Sequence, residues 1–518
     1  MKKTLFIITL FIFCIGMCCQ YNYPDNDLWA RLIAGGYIVE NLNILKYDFL
    51  SYTPTHPWYD HEWGASVFFY LALKYFGNNG LIILRGLLAA LTIFICFKTV
   101  ELRKPKSTTA YNILYFAVMF LVVLKSIGPI IRCLLFTCLF FAIFIYILER
   151  ARLGNKKTLI LLPLLMILWS NIHGGCMSGI GILGIYTVGE FLNKKSFKEY
   201  IYTLLGCLAA LFINPYGFEY VKFLFFATTM NREYITEWTS PFHPQYLSSY
   251  MRYKIYLIVM VFTQIIYLIK NKINYVKMDK TKILLVILMI CLSVTHIRHQ
   301  TFFILTVGTL LYDEFYSVFN NAVDFIRKKL RIDNKEFISN ICLIKEITVY
   351  FLLFIISFPY LISSNKEIRI TETEYPRYAV EFIKINNITG NLFINFDWGS
   401  YAAYKLYPNN LIVMDGRYEE VYNPNLLMDL KNFHILKNDW YKIIRDYKTD
   451  VMIIETKYPV YKKMLEHPDW KLIFENNLSG VFVPINNVKD TYIYPSVDNK
   501  HYNNTLFSTN IKYKRRDF

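Results

Sequence analysis

Charge is scarce in this chain. Of its 518 residues only 18% are Asp, Glu, Lys or Arg, while 55% are hydrophobic and 18% aromatic. Mean hydropathy is +0.29. That balance excludes an ordinary soluble protein of this size. The ten cysteines, Cys14, Cys18, Cys19, Cys96, Cys133, Cys138, Cys176, Cys207, Cys291 and Cys342, lack any metal-ligand spacing or disulfide framework, and none lies in the last third. Nearly all sit in or beside apolar runs and read as small buried residues. No internal repeat is visible. No small-x-small cleavage site follows the apolar residues 4–19, and Met17 before Cys18 makes a poor lipoprotein signal, so the N-terminus reads as an uncleaved first span. The net charge of +17 comes without a contiguous basic and aromatic soluble module, which argues against nucleic acid as a partner.

What is present are repeated apolar runs of roughly 16–24 residues, the length that suits bilayer-spanning helices. Spans are expected near 4–20, 80–101, 109–127, 131–148, 158–172, 176–192, 200–214, 253–269, 282–297, 300–317 and 347–363, about eleven in all. The runs at 158–172 and 200–214 are short enough to be tilted or partly re-entrant. Lys and Arg gather at 2–3, 103–106, 150–157, 194–198, 270–282 and 327–345, in every second loop. The positive-inside rule makes those loops cytoplasmic and puts the C-terminal region outside. The expected protein is a polytopic α-helical membrane protein. Its transmembrane domain covers 1–365 and has a long first extracytoplasmic loop at 21–79. A small extracytoplasmic α/β domain covers 370–490, and a polar basic tail covers 491–518. High Lys, Asn and Ile usage suggests an AT-rich bacterial genome, hence the inner (cytoplasmic) membrane.

Within the first loop, Leu28, Leu32, Ile33, Ile38 and Val39 recur near helical spacing, although Gly35-Gly36 weakens a helix. A second helix is expected over 63–76, ending at Gly77-Asn78-Asn79-Gly80. Beyond residue 370, strands are expected at 391–395, 411–414, 450–454 and 481–483, and helices at 378–385, 402–406 and 439–447.

Six polar clusters fall at the face opposite the basic loops. They are Asp25-Asn26-Asp27, Asp60-His61-Glu62-Trp63, Arg132, the stretch 169–173, Glu237-Trp238 and His296-Ile297-Arg298-His299. One shared extracytoplasmic site would require that agreement. Two carboxylates at i, i+2, Asp25 and Asp27, suit a hard divalent ion such as Mg or Mn. Either also suits a base toward an acceptor hydroxyl. The competing reading is a helix cap with a first-turn acid. His61 and Glu62 add potential ligands, while Asp60 or His61 would equally start the helix at Trp63. Arg132, beside Pro129, and Arg298, between two histidines, stand at span ends, where a charge needs a partner or water. A guanidinium suits phosphate through its fork of donors, and snorkelling is the bland alternative. Gly174-Gly175 permits a tight turn that would face Asn171 and His173 into a pocket, though a helix-end histidine is as readily structural. Asp397 and Trp398 follow one expected strand and Asp415 and Arg417 the next, where α/β domains place ligand groups. A helix cap and a turn are the plainer roles there.

In order along the chain, Asp25-Asn26-Asp27-Leu28-Trp29-Ala30-Arg31-Leu32, Gly36, residues 48–51 and Trp58-Tyr59-Asp60-His61-Glu62-Trp63 resemble a bacterial group of polytopic proteins of GT-C glycosyltransferase architecture. Residues 169–175 and 214–217, Glu237-Trp238, Asp397-Trp398-Gly399 and Asp415-Gly416-Arg417 extend the resemblance over 20–485. The resemblance implies a sugar donor on polyprenyl (pyro)phosphate and an acceptor hydroxyl on a glycan, lipid or protein. It implies Asp27 or Asp25 as the base, and Asp25, Asp27 and Glu62 around a divalent ion. Substrate contacts would come from Trp29, Arg31, His61, Arg132, Asn171, His173, Glu237, His296, Arg298, Asp397, Trp398, Asp415 and Arg417. Attack opposite the leaving phosphate would invert the anomeric centre. Asp397-Trp398-Gly399-x-Tyr401 is also similar to the Trp-Trp-Asp-Tyr-Gly signature of oligosaccharyltransferase catalytic subunits. Asn395-Phe396 stands where the paired tryptophans would be, so a peptide acceptor is not implied. Two other classes compete. A transporter or flippase for a lipid-linked glycan would carry polar groups on both faces. An envelope scaffold or sensor would leave the first-loop acids silent.

Overall fold

The computed structural model describes residues 2–495 except 21, 129, 231, 233–234, 273–277, 330–334 and 364–367. Of residues 2, 327 and 335–346 only the backbone is described. Pro129, parts of the basic loops at 270–282 and 327–345, and the tail from 496 onward lie outside the described residues. The helices in chain order are α1 (Lys2–Cys19), α2 (Leu28–Asn41), α3 (Trp63–Leu102), α4 (Thr109–Ile127), α5 (Leu134–Arg152), α6 (Leu161–Ile172), α7 (Met177–Leu192), α8 (Lys198–Ala210), α9 (Phe218–Thr229), α10 (Met251–Lys270), α11 (Lys280–Thr295), α12 (Gln300–Leu310), α13 (Tyr312–Lys329), α14 (Lys335–Ile362), α15 (Arg377–Ile385), α16 (Phe396–Leu406), α17 (Pro424–Ile435), α18 (Lys442–Asp446) and α19 (Pro459–Leu465). Side chains cap several: Thr108 accepts from Tyr111 N at the start of α4, and Asp279 from Thr281 N and Lys282 N at the start of α11.

Among the described residues, five helices are long and apolar enough to cross a membrane: Trp63–Glu101, Thr109–Ile127, Leu134–Arg152, Gly174–Leu192 and Met251–Lys270. A bent pair, Ile297–Leu310 with Tyr312–Ile326, makes a sixth if counted as one span, and Lys3–Cys19 and Ile347–Ile362 are shorter apolar helices. The protein is thus a multi-pass membrane protein. Length alone does not recover all of the expected spans. α6 and α8, of 12 and 13 residues, are shorter than the ~20 residues a crossing needs. The expected span at 300–317 breaks after Leu310, where the chain bends by 66°.

The chain divides into two compact units. The first, helical unit comprises residues 1–21, 82–217 and 228–366. In it α1 packs against α14 and α4. Gly16 makes the first contact close, since a Cβ there would run into the Ser357 carbonyl. α12 is buried along its whole length. Arg85, inside an apolar run of α3, is buried and donates to the carbonyls of Cys18 (3.1 Å) and Gly128 (3.2 Å), at the ends of α1 and α4. Helix C-terminal carbonyls lack intrahelical partners and attract cations, which explains a guanidinium at this depth. Another buried arrangement joins Arg152 to Glu149 (3.1 Å), Glu190 (2.8 Å) and Asp279 (2.7 Å). Of the nine cysteines whose side chains are described, eight are buried and Cys291 is exposed.

The second unit comprises residues 22–81, 218–227 and those beyond 367. Its centre is a five-stranded sheet of β1 (Gly390–Phe393), β2 (Asn410–Ile412), β3 (Val451–Glu455), β4 (Trp470–Glu475) and β5 (Ser479–Pro484), in the order β2-β1-β3-β5-β4. β1 runs parallel to β2 and β3, and β5 is antiparallel to β3 and β4. β3 is buried at every position. β4 was not expected from the sequence; its Trp-Lys-Leu-Ile-Phe-Glu pattern exposes Lys471 and Glu475, as suits an edge strand. The sequence grouped the first loop with the transmembrane domain, but its contacts group it with the sheet. Tyr52 N donates to Ile412 O (3.1 Å), Ile412 N to Leu50 O (2.9 Å), and Thr53 Oγ1 to Val413 O (2.7 Å). The loop therefore covers the β2 edge that an isolated domain would expose.

Gly35-Gly36 does not interrupt α2. A Cβ at Gly35 would collide with the Ser66 carbonyl and the Tyr70 side chain of α3, so this glycine marks a close helix approach. Gly35→Ala is expected to lower stability by about 1–3 kcal/mol. Gly181→Ala, where nothing lies within 4 Å, is expected to be neutral or mildly stabilising. Thermal unfolding of the purified protein in detergent compares them.

Candidate functional site

Asp27 is the N-cap residue of α2, but its side chain makes no capping hydrogen bond. The first turn of α2 buries Trp29 among the rings of Tyr375, Tyr401 and Tyr404, with centroids 5.9, 5.1 and 5.3 Å away. Half a turn on, Arg31 is 2% exposed and meets three carboxylates: Asp60, Glu62 (Nε to Oε2, 3.0 Å) and Glu420. Trp58 donates its indole N–H to Glu420, and His61 Nδ1 lies 3.5 Å from the same carboxylate. The His61 ring packs 5.2 Å from Phe223.

A second buried arginine stands nearby. Arg417 Nε donates to both oxygens of Asp415 (2.9 and 3.0 Å), Nη1 to Asp48 (2.6 Å) and Nη2 to the Tyr422 hydroxyl (3.1 Å). Its guanidinium lies 4.6 Å from the centre of the Trp58 ring. Burial alone would raise the Asp48 carboxyl, but Arg417, Ser51 and the Leu50 N–H hold it below the usual range. Trp398 is buried too and donates to the Glu374 carbonyl (2.8 Å). The structure thus places Trp29, Arg31, Trp398, Asp415 and Arg417 inside the sheet unit, engaged with its own groups.

The part-exposed polar rim of this unit is different. Asp25 and Asp27 are partly exposed, and Asn26 and Asp397 are exposed. Asn26 donates toward Asp397 Oδ1 (3.4 Å) and accepts from the Tyr375 hydroxyl (2.8 Å). Asp27 Oδ1 lies against Gly416 so closely that a Cβ there would collide with it. This gives Gly416 a role beside Asp27 that a turn reading did not contain. Glu62, grouped in the sequence with Asp25 and Asp27 as a metal ligand, is ion-paired to Arg31. Among the described residues no group of three or more His, Cys, Asp or Glu side chains is arranged to hold a metal ion.

The helical unit has its own cluster. Arg132 pairs with Glu237. Burial would raise the Glu237 carboxyl, but Arg132, helped by Arg298, draws it down to about 2. The guanidinium groups of Arg232 and Arg298 lie 4.6 and 4.9 Å from the centre of the Trp238 ring. The rings of His296 and His299 pack edge-on to it at 5.2 and 5.9 Å. The backbone locks the cluster, with Ile297 N donating to Thr239 O (3.0 Å). Arg298 is partly exposed. Such an arrangement suits an anionic, phosphate-like group. Sequence reasoning missed Arg232; its only signal was an arginine six residues before Trp238. Asn171 and His173 lie apart in role. Asn171 Nδ2 donates to the carbonyls of Ile167 and Ile213 (2.8 Å each). His173 Nδ1 accepts from Gly175 N (2.8 Å) and lies 2.9 Å from Thr137 Oγ1, which also receives the Trp169 N–H.

Arg31→Met would strand its carboxylates and is expected to cost about 3–5 kcal/mol of stability. Arg298→Met, at a partly exposed cation–π contact, is expected to cost about 1 kcal/mol or less. The Asp60 carboxyl is raised from 3.8 to about 6, first by burial and then by Glu420, against the pull of Arg31. Its folded value lies above its unfolded one, so its contribution is full below pH 3.8 and is lost as pH rises through about 6. Asp60→Asn should therefore flatten the fall in stability between those values, as read from melting temperature against pH.

No protein-family model and no curated protein matches the sequence. Among solved structures, the chain is similar to the oligosaccharyltransferase of Archaeoglobus fulgidus. The crystal structure tethered with an acceptor peptide containing the NVT sequon superposes with TM-score 0.54 at 10% identity, and the apo form with 0.52 at 9%. The archaeal enzyme AglB in complex with an inhibitory peptide and a dolichol-phosphate gives 0.55 at 9%. Each match covers 88% of this chain and 69% of the other. At such low identity what is shared is the fold.

Proposed function

We propose that this chain is a membrane glycosyltransferase that moves a sugar from a polyprenyl-(pyro)phosphate donor to an acceptor hydroxyl at the extracytoplasmic face, with inversion. The observation that carries the reading is the GT-C-type fold shared over 88% of the chain. The chemistry of the two side-chain groups supports it. The arginines around Trp238 would hold the donor phosphate. An acceptor hydroxyl would lose its proton to Asp27, or to Asp25 beside it, as its oxygen bonds the anomeric carbon. The bond from that carbon to the phosphate oxygen breaks in the same step, and its electron pair leaves with the phosphate. Guanidinium groups such as those of Arg298 and Arg132 suit the charge that develops on a leaving phosphate. Gly416 keeps Asp27 close to a fixed backbone, which favours a set geometry for the base. One archaeal neighbour is tethered with an acceptor peptide, and another is in complex with an inhibitory peptide and a dolichol-phosphate. For this chain, Asn395-Phe396 in place of paired tryptophans favours a glycan or lipid acceptor over a peptide. The basic loops support a bacterial cytoplasmic membrane with the sheet unit outside.

Asp27→Asn at normal abundance is expected to reduce transfer by about 10²-fold or more. Gly416→Ala, whose Cβ displaces Asp27, should reduce transfer while the protein stays folded. Mass spectrometry of lipid-linked sugars and envelope glycans in a rescued deletion strain reads both. Accumulated donor lipid with a glycan lacking one sugar is the expected result. Wild-type pools with Asp27→Asn would remove this residue from the reaction.

A further inference from the structure

α13 begins one residue after the buried α12 and departs from it at 66°. Its first turn is fastened: Asp313 accepts from Arg103 Nε at 2.6 Å, Glu314 pairs with Lys282, and the Tyr312 hydroxyl donates to Asn112. Phe319 still packs 5.3 Å from the Tyr111 ring. Beyond it the helix stands open. Phe319, Phe325 and Ile326 are 45%, 69% and 53% exposed, and Lys328 and Lys329 are exposed in the last turn. At helical spacing Phe319, Ala322, Phe325 and Ile326 share one face, Val323 borders it, and Asn320 and Asp324 lie opposite. Asp313, Glu314, Asn320 and Asp324 make α13 costly to bury in a bilayer core. In the sequence, four of the five residues at 327–331 are Lys or Arg.

An amphipathic helix with an exposed aromatic face and a basic end, held at its start by a membrane-embedded bundle, matches what the bilayer interface takes up. The rings enter the acyl boundary, and the lysine stems run along them so that the ammonium groups reach the headgroups. A run of basic residues at that level favours anionic headgroups. We infer that the exposed C-terminal half of α13 lies in the membrane interface and binds anionic phospholipid through Lys328 and Lys329. This binding surface is separate from the proposed donor and acceptor groups. A second protein copy or a protein partner on the same face would leave Ile326 shielded from lipid.

The test uses the full chain in proteoliposomes with bimane at Ile326→Cys, in a Cys291→Ser background because Cys291 is the exposed thiol among the described cysteines. Vesicles contain equal fractions of brominated phosphatidylglycerol or brominated phosphatidylcholine. Quenching by both lipids is expected, at least about twofold stronger with phosphatidylglycerol at low salt. Lys328→Gln/Lys329→Gln should abolish the excess while quenching by phosphatidylcholine remains. Absence of quenching by either lipid, equal quenching by both, or an excess that survives the double substitution would each overturn the inference.

Discussion

Two buried guanidinium groups hold the sheet unit in one arrangement. Arg31 binds Asp60 and Glu62 from the first loop and Glu420 from beyond the sheet. Arg417 binds Asp415 beside it and Asp48 from the first loop. Trp58 joins the pairs, with its N–H on Glu420 and its face beneath Arg417. Each buried ion carries a desolvation penalty of several kcal/mol, so the set is tolerable only when every member has its partner. This demand makes the pairing selective. A first loop shifted by one residue would leave a charge buried without its complement.

The same economy of partners separates structural from available charge. In the helical unit, Arg85 satisfies the ends of α1 and α4, and Arg152 satisfies Glu149, Glu190 and Asp279. Those groups are committed. Asp25, Asp27 and Asp397 on the sheet unit, and Arg132 and Arg298 on the helical unit, keep part of their surface open. Chemistry requires groups of this second kind, because a substrate must reach them.

Much of this was legible in the chain. Strands appear at β1, β2, β3 and β5 where β-rich runs stood, because short apolar runs bounded by turn residues leave few alternatives. The first-loop acids and the Arg132, Glu237 and Arg298 cluster were also visible as polar islands between apolar spans. Three features were not. β4 alternates Trp470, Leu472 and Phe474 with Lys471 and Glu475, but Ile473 fills one of the polar positions and blurs the period. Arg85 sits inside an apolar run, where only the carbonyls it meets explain it. Trp29, Arg31, Trp398, Asp415 and Arg417 looked like contacts for a ligand because a motif gives residue types without giving their exposure.

The sequence by itself determined the apolar helices, the sign and position of each charge, and the period that makes a segment helix or strand. These are local properties of side-chain chemistry and backbone geometry. Only the tertiary structure decided which charges neutralise each other. Arg31 and Glu420 are 389 residues apart, and Arg417 and Asp48 are 369 apart. No spacing rule spans such distances. The partner of a buried arginine is whichever carboxylate the packed first loop and sheet bring within reach, and burial then makes that choice binding.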